Sequence, residues 1–181
     1  MKMNIANRLT ILRILLIVPF IIILVWKSDQ FSYRLIAFVI FAIASLTDFL
    51  DGYLARKFNL ITNFGKLMDP LADKILVLSS LLIFVELKYV PAWMVIVIIT
   101  RDFLINGIRS LAASKGHVLP AGYLGKVKTT TQMIAILLII LLGRSPYNFY
   151  IMLIPVFFTI WSALVYIKEG KKAYVKFDGL G

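Results

Sequence analysis

Six long apolar runs, each about as long as a membrane-crossing helix, constrain this chain more than any other feature. A helix needs about 20 consecutive apolar residues to cross the hydrocarbon core of a bilayer. Charged, Gly or Pro residues separate the runs, which extend over Leu9–Trp26, Tyr33–Leu50, Leu67–Leu87, Pro91–Ala113, Lys126–Leu142 and Phe149–Ile167. Since the runs use most of the 181 residues, we predict an all-α integral membrane protein with six transmembrane helices and a single domain over 1–181.

The composition excludes the other broad classes of protein. With 61% hydrophobic and 16% charged residues, the chain is more apolar than soluble domains, which average about 45–50% and about 25%. Because the chain has no cysteine and one histidine, it has no disulfide framework, no thiolate nucleophile and no histidine metal cluster. Any bound metal ion must therefore be held by oxygen ligands.

Lysine and arginine are distributed unevenly between the two sides of the predicted membrane protein. Fifteen of these 20 residues fall on the side that holds both termini, four fall on the other side, and Arg101 lies within a span. Because cytoplasmic loops carry the excess of Lys and Arg, we predict a multi-pass protein of the cytoplasmic membrane with both termini in the cytoplasm. The formal net charge of +11 then suits anionic lipid headgroups and phosphorylated substrates, although ordinary topology bias explains part of it. We expect no nucleic-acid partner.

Four of the nine acidic residues lie close together in the sequence. Asp48 and Asp51 are three residues apart near the end of the second span, and Asp69 and Asp73 are four residues apart at the start of the third. Each pair therefore shares one face of a helix, and the short connection makes the two helices neighbours. Packed carboxylates repel one another unless cations compensate them, so the cluster predicts a bound hard divalent cation, Mg²⁺ or Mn²⁺.

Small residues and one arginine accompany these acids. Gly52 and Ala55 lie on the same side of the second helix as the first acidic pair, and Gly65 lies at the entrance of the third helix. They leave room for close approach of a ligand, and Arg56 is positioned to meet a phosphate. Carboxylate-bound metals, small residues and an arginine together indicate a site for a metal-bound diphosphate.

The chain resembles the CDP-alcohol phosphotransferase family in a full signature of eight residues, Asp48-x2-Asp51-Gly52-x2-Ala55-Arg56-x8-Gly65-x3-Asp69-x3-Asp73. The six spans, and the place of the signature between spans two and three, are also similar to that family. The resemblance implies transfer of a phosphatidyl or similar group from a CDP-activated donor to an alcohol, with release of CMP. It further implies a divalent metal cofactor and a homodimer. We expect two metal ions, which can hold the attacking and leaving oxygens, and an active site that faces the cytoplasm, because the aspartates lie near the cytoplasmic ends of their spans.

The resemblance also implies roles for individual residues. Asp48, Asp51 and Asp69 ligate metal, and Asp73 ligates or borders the metal and acts as general base on the acceptor hydroxyl. The cytidine diphosphate of the donor is received by Gly52, Ala55, Arg56 and Gly65. Asn7 and Thr10 lie in an opening segment that is also similar to the family, and we assign them to the donor site.

Basic residues in the second half of the chain indicate that the acceptor is an anion. Arg101 lies in mid-span, where an ionised residue is by default functional or paired, and Arg109 lies about two turns further on. Lys126 and Lys128 lie at the entrance of span five. We predict that these four bind the acceptor phosphate. In the alternative interpretation, Asp102 neutralises Arg101, and the two lysines serve topology and headgroup contact.

This arrangement resembles the branch of the family that uses CDP-diacylglycerol and glycerol 3-phosphate to form phosphatidylglycerophosphate. One alternative is the same chemistry with inositol phosphate, serine or phosphatidylglycerol as acceptor. A remote alternative is a small cation transporter, in which membrane carboxylates relay ions. Transport sites lie near the bilayer midplane, whereas the four aspartates lie near the cytoplasmic ends of their spans. Their position therefore favours the enzyme.

Overall fold

The computed structural model of the chain is all-helical over the residues that it describes. Its six helices are α1 (Ile5–Lys27), α2 (Phe31–Lys57), α3 (Asn63–Glu86), α4 (Ala92–Ser114), α5 (Tyr123–Leu142) and α6 (Tyr147–Asp178). The structure describes residues 5–57, 63–114 and 122–178, with side chains over 11–47, 74–110, 112, 114 and 122–166. Every predicted span coincides with one helix, so the all-α prediction is confirmed.

Two helices extend well beyond the apolar runs that predicted them. Helix α2 continues from Leu50 to Lys57, and α6 continues from Ile167 to Asp178. Both extensions are rich in polar and charged residues. Hydropathy therefore falls at the end of each apolar run, although the helix continues beyond it. A helix satisfies its backbone hydrogen bonds internally and needs no apolar sequence to continue. As a result, the signature residues from Asp51 to Arg56 are helical.

The first compact unit comprises Met1–Tyr89 and Ile136–Ser145, and in it α1, α2 and α3 contact one another. One face of α1 is fully or almost fully buried, and on it lie Arg13, Ile17, Phe20 and Leu24. The facing stripe of α2 alternates small and large side chains, with Ala37 and Ala44 on either side of Phe41. Small residues allow two helices to approach closely, and the rings of Phe20 and Phe41 pack at a centroid distance of 5.8 Å.

A glycine with a left-handed backbone ends α5 in the same unit. Gly143 has φ 63°, and its N–H donates to the carbonyl of Ile139 at 2.9 Å. The guanidinium of Arg34 lies directly over it, because a Cβ added to Gly143 would be 2.5 Å from Arg34 Nη1. The same Nη1 donates to the carbonyl of Ser28 at 3.1 Å. Arg34 thus packs on a surface that only glycine leaves open.

The second compact unit comprises Val90–Ala135 and Pro146–Gly181, and in it α4 contacts α6. Its buried apolar residues include Met94 and Ile98 on α4, and Met152 and Val156 on α6. Pro155 lies inside α6, and one turn later the hydroxyl of Thr159 donates to the Pro155 carbonyl at 2.6 Å. Each buried pair repeats with a spacing of four residues, as expected for one helix face.

Large apolar side chains cover much of the described helix surface. Leu15, Ile96 and Leu164 are each more than 60% exposed, whereas soluble monomers rarely expose extended apolar patches. By length and composition, Tyr123–Leu142 and Tyr147–Tyr166 can cross a membrane, and a shorter apolar segment covers Phe31–Thr47. These findings support membrane helices in the chain.

Candidate functional site

The backbone places the two aspartate pairs on contacting helices. Asp48 and Asp51 belong to α2, and Asp69 and Asp73 belong to α3, although all four side chains lie outside the described ones. Asp51 is six residues before the end of α2, and Asp69 is six residues after the start of α3. Contacting helices joined by five residues run antiparallel, and six residues span about 9 Å of helix. The two pairs therefore lie at similar distances along the sequence from the ends of α2 and α3 that the connection joins.

The residues predicted to receive the donor belong to α1, α2 and α3, so they share two helices with the aspartates. Gly52, Ala55 and Arg56 lie on α2, Gly65 on α3, and Asn7 and Thr10 on α1, with side chains outside those described. Since α1, α2 and α3 contact one another, all ten predicted metal and donor residues belong to one cluster of helices. Among the described side chains, no three or more acidic or histidine residues form a group that could hold a metal ion.

A buried arginine lies on α1, next to the helix that carries the first aspartate pair. Arg13 is 0% exposed, and its Nε donates to the Ala44 carbonyl of α2 at 3.2 Å. In an α-helix, the carbonyl of Ala44 also accepts from the N–H of Asp48, four residues later. Arg13 thus contacts the turn of α2 that leads into Asp48. Arg13 lies near the start of the span Leu9–Trp26 and was counted with the cytoplasmic charges and with the opening segment that resembles the family, so its burial was not predicted.

In the second unit, one carboxylate joins two of the basic residues predicted to bind the acceptor. Lys128 Nζ donates to Asp102 at 2.8 Å from Oδ1 and 2.6 Å from Oδ2. Arg101 Nη1 donates to Oδ1 of the same carboxylate at 3.2 Å. The Lys128 side chain is 3% exposed, whereas those of Arg101 and Asp102 are 14% and 29% exposed. The trio has two positive charges and one negative charge, and the carboxylate that carries the negative charge is partly exposed.

The start of α5 lies beside this trio. The guanidinium of Arg101 passes Gly125, since its Nη2 would be 4.0 Å from a Cβ at that position. Thr129 turns its hydroxyl to the Gly125 carbonyl at 3.0 Å. Lys126 is exposed, in contrast to the buried Lys128 two residues later. Lys126 and Lys128 are therefore in different environments, and Lys128 is the one near Arg101.

Arg109 has a different neighbour. Its Cζ lies over the ring of Tyr166 on α6, 5.9 Å from the ring centroid, within the range of a cation–π contact. Tyr166 was not among the predicted site residues. A tyrosine near the end of a span is typical of the membrane interface and gives no signal of a site. No signal in a single sequence pairs Arg109 with a residue 57 positions away.

Several buried hydrogen-bond donors in the described part of this unit are without a partner. Asp102 is the only acidic residue in the sequence between positions 90 and 166. Among the described residues, four buried side-chain atoms of this unit that can donate are without a hydrogen-bond partner: Arg101 Nε, Arg109 Nε, Gln132 Nε2 and the Tyr166 hydroxyl. Buried donors in proteins are almost always paired. The arrangement is suited to a ligand that brings several acceptor oxygens and negative charge.

Comparison with known proteins agrees with this chemistry. The family described as CDP-alcohol phosphatidyltransferase matches residues 3–161. The chain is 41% identical to the CDP-diacylglycerol--glycerol-3-phosphate 3-phosphatidyltransferase of Bacillus subtilis (strain 168), over 94% of this chain and 96% of the relative. It is 39% identical to the protein of that name from Haemophilus influenzae (strain ATCC 51907 / DSM 11121 / KW20 / Rd), over 94% and 95%. For the Rickettsia felis (strain ATCC VR-1525 / URRWXCal2) protein of that name, the identity is 36% over 94% and 97%.

Proposed function

The chain belongs to the CDP-alcohol phosphatidyltransferase family, and on that premise we propose that it transfers a phosphatidyl group from CDP-diacylglycerol to glycerol 3-phosphate. The products are phosphatidylglycerophosphate and CMP. The names of relatives at 36–41% identity, matched over nearly their whole length, support this reaction. The match of the family over residues 3–161 also supports our proposal of a single domain over 1–181.

Four aspartates on α2 and α3 hold the metal ions in this proposal. Asp48, Asp51, Asp69 and Asp73 offer only carboxylate oxygens, the donors that Mg²⁺ and Mn²⁺ prefer. The location of the two pairs on contacting helices, at similar sequence distances from the ends that the short connection joins, supports a shared site. When bound, two divalent ions supply positive charge that stabilises the diphosphate and the departing CMP.

The reaction forms a bond between the acceptor hydroxyl oxygen and the phosphatidyl phosphorus, and breaks the bond from that phosphorus to CMP. Asp73 takes the proton of the acceptor hydroxyl as general base. Arg56 offsets the negative charge of the cytidine diphosphate. Gly52, Ala55 and Gly65 leave space beside that diphosphate, and Asn7 and Thr10 complete the donor site.

The observation that carries the choice of acceptor is the set of buried donors without a partner in the described part of the second unit. Arg101, Lys128 and Arg109 are wholly or partly buried in a segment with one acid, and several of the donors in this unit are without a partner in the described part of the chain. We assign these three residues, with the exposed Lys126, to the acceptor phosphate. A phosphomonoester brings two negative charges, whereas serine has no phosphate and phosphatidylglycerol is a diester. Inositol phosphate shares the phosphomonoester, and the names of the relatives favour glycerol 3-phosphate over it.

Kinetics on variants tests this assignment. Arg109→Ala should raise the KM for glycerol 3-phosphate far more than the KM for CDP-diacylglycerol, because the lost guanidinium binds only the acceptor. The phosphatidylglycerophosphate formed by the purified protein is identified by mass spectrometry. The reverse KM pattern would move Arg109 to the donor site, and absence of the lipid product would reject the reaction.

We further propose six membrane-spanning helices with both termini and the active site on the cytoplasmic side, and a homodimer. The lengths of the helices support the spans, since all six have at least 20 residues and the bilayer core needs about 20.

The chain lacks cysteine, so single-cysteine variants report topology directly. An impermeant thiol reagent outside the cell should label Gln30→Cys and Ser145→Cys but not His117→Cys, and the opposite pattern would invert the topology. Native mass spectrometry of the purified protein tests the dimer.

A further inference from the structure

Tyr166 on α6 and Arg109 on α4 form a contacting pair, of which the proposed reaction assigns a role only to Arg109. Arg109 Cζ lies 5.9 Å from the centroid of the Tyr166 ring. Such a contact holds the guanidinium plane against the aromatic face and restricts its rotation. The tyrosine ring therefore sets where Arg109 presents its N–H groups.

Both members of this pair have a buried polar atom that lacks a partner in the part of the chain that the structure describes, namely Arg109 Nε and the Tyr166 hydroxyl. Both groups can donate a hydrogen bond, and a buried donor without an acceptor is energetically unfavourable. Asp102, the one acid of this unit whose side chain the structure describes, already accepts from Arg101 and Lys128. The two donors of the pair are therefore suited to an oxygen-rich acceptor group from a ligand.

The burial of its hydroxyl separates Tyr166 from the tyrosines at the opposite end of α6. Tyr147 and Tyr150 are each 66% exposed, as expected for aromatic residues at a membrane interface. Tyr166 is only partly exposed, and its hydroxyl is buried. An interfacial tyrosine keeps its hydroxyl in water, so location near a span end does not account for Tyr166.

We propose that Tyr166 is a binding residue for the acceptor, with its hydroxyl donating to a phosphate oxygen of glycerol 3-phosphate and its ring holding Arg109 against the same phosphate. This inference rests on the proposed function and adds a specificity-determining residue to it. A phosphate oxygen could also come from the donor lipid, so the test follows both substrates.

Two substitutions separate the hydroxyl from the ring. Tyr166→Phe keeps the aromatic face for Arg109 and removes only the hydroxyl, whereas Tyr166→Leu removes both. Loss of one hydrogen bond to a charged group should raise the KM for glycerol 3-phosphate about tenfold in Tyr166→Phe, with kcat and the KM for CDP-diacylglycerol little changed. Tyr166→Leu should raise the same KM further. Tyr150→Phe, on an exposed tyrosine of the same helix, is the matched control and should leave all three constants unchanged.

A binding measurement makes the test independent of turnover. Glycerol 3-phosphate should raise the melting temperature of the wild-type protein, and this rise should be smaller in Tyr166→Phe at the same ligand concentration. An unchanged KM for glycerol 3-phosphate in Tyr166→Phe would overturn the inference while leaving the proposed function intact. A raised KM for CDP-diacylglycerol alone would also overturn it, because Tyr166 would then serve the lipid phosphate. Wild-type protein that releases no CMP with glycerol 3-phosphate would overturn the proposed function and this inference together.

Discussion

Methionine in place of Lys128 keeps an apolar stem of similar size and removes the buried cation. The structure indicates two separable consequences, one for stability and one for acceptor binding. The Nζ atom lies 2.6 Å from Asp102 Oδ2, and the Lys128 side chain is 3% exposed. In Lys128→Met, the Asp102 carboxylate keeps the contact with Arg101 Nη1 at 3.2 Å but loses the two shorter ones. The variant should therefore be less stable and should bind the acceptor phosphate more weakly.

The loss of stability follows from the carboxylate that is left behind. Removing one partner of a fully buried ion pair costs about 3–5 kcal/mol. Asp102 is 29% exposed, so water compensates part of this loss and we expect about 2 kcal/mol. For a chain of this size, that corresponds to a fall in melting temperature of about 4–8 °C. Lys126→Met is the control, because the exposed Lys126 should contribute little to stability.

A second substitution separates stability from acceptor binding. Lys128→Met combined with Asp102→Asn also removes the carboxylate charge that lost its lysine, and an amide oxygen can still accept from Arg101, so part of the lost melting temperature should return. The phosphate-binding cation is still absent, so the KM for glycerol 3-phosphate should stay about 10- to 100-fold above wild type. Tryptophan fluorescence on heating measures stability, and CMP release measures KM. If the double variant regains the wild-type KM, Lys128 only neutralises Asp102, and the reasoning is refuted.

Three further predictions concern the aspartates, the metal and the end of α5. Asp73→Asn should lower CMP release by at least about 100-fold, because the general base is lost, while CDP-diacylglycerol binding persists; unchanged turnover would remove Asp73 as base. EDTA should silence the enzyme, with Mg²⁺ or Mn²⁺ restoring it, and full activity after stringent metal removal would contradict the carboxylate site. Gly143→Ala should lower the melting temperature by about 4 °C, because alanine is strained at φ 63° and its Cβ would meet Arg34. Gly107→Ala, which adds a Cβ in open space on α4, should show no such loss.

The sequence predicted the number and places of the helices because apolar length alone determines where a helix can cross a bilayer. It did not predict where α2 and α6 end. The spans assigned to Tyr33–Leu50 and Phe149–Ile167 stop where hydropathy falls, whereas α2 continues to Lys57 and α6 to Asp178. Hydropathy reports the solvent around a helix and not the backbone hydrogen bonds that continue it.

The aspartate signature was readable because its spacing is local to two helices. The partners of the basic residues could not be predicted in this way, because Asp102 pairs with Lys128 across 26 positions of the sequence and Arg109 contacts Tyr166 across 57 positions. Such pairs depend on how helices pack, which a hydropathy pattern does not encode. The prediction that Arg101 and Lys128 act at one place is compatible with their common contact to Asp102, and their role in acceptor binding stays a prediction.

The central claim is tested most directly by CMP release from the purified protein with CDP-diacylglycerol and Mg²⁺. Glycerol 3-phosphate, inositol phosphate, serine and phosphatidylglycerol are offered in parallel, with Asp73→Asn as the inactive control. We expect CMP release with glycerol 3-phosphate alone, and none from the control. Release with a different acceptor would contradict the assignment of the basic residues of the second unit, and absence of release with all four would contradict the enzymatic function itself.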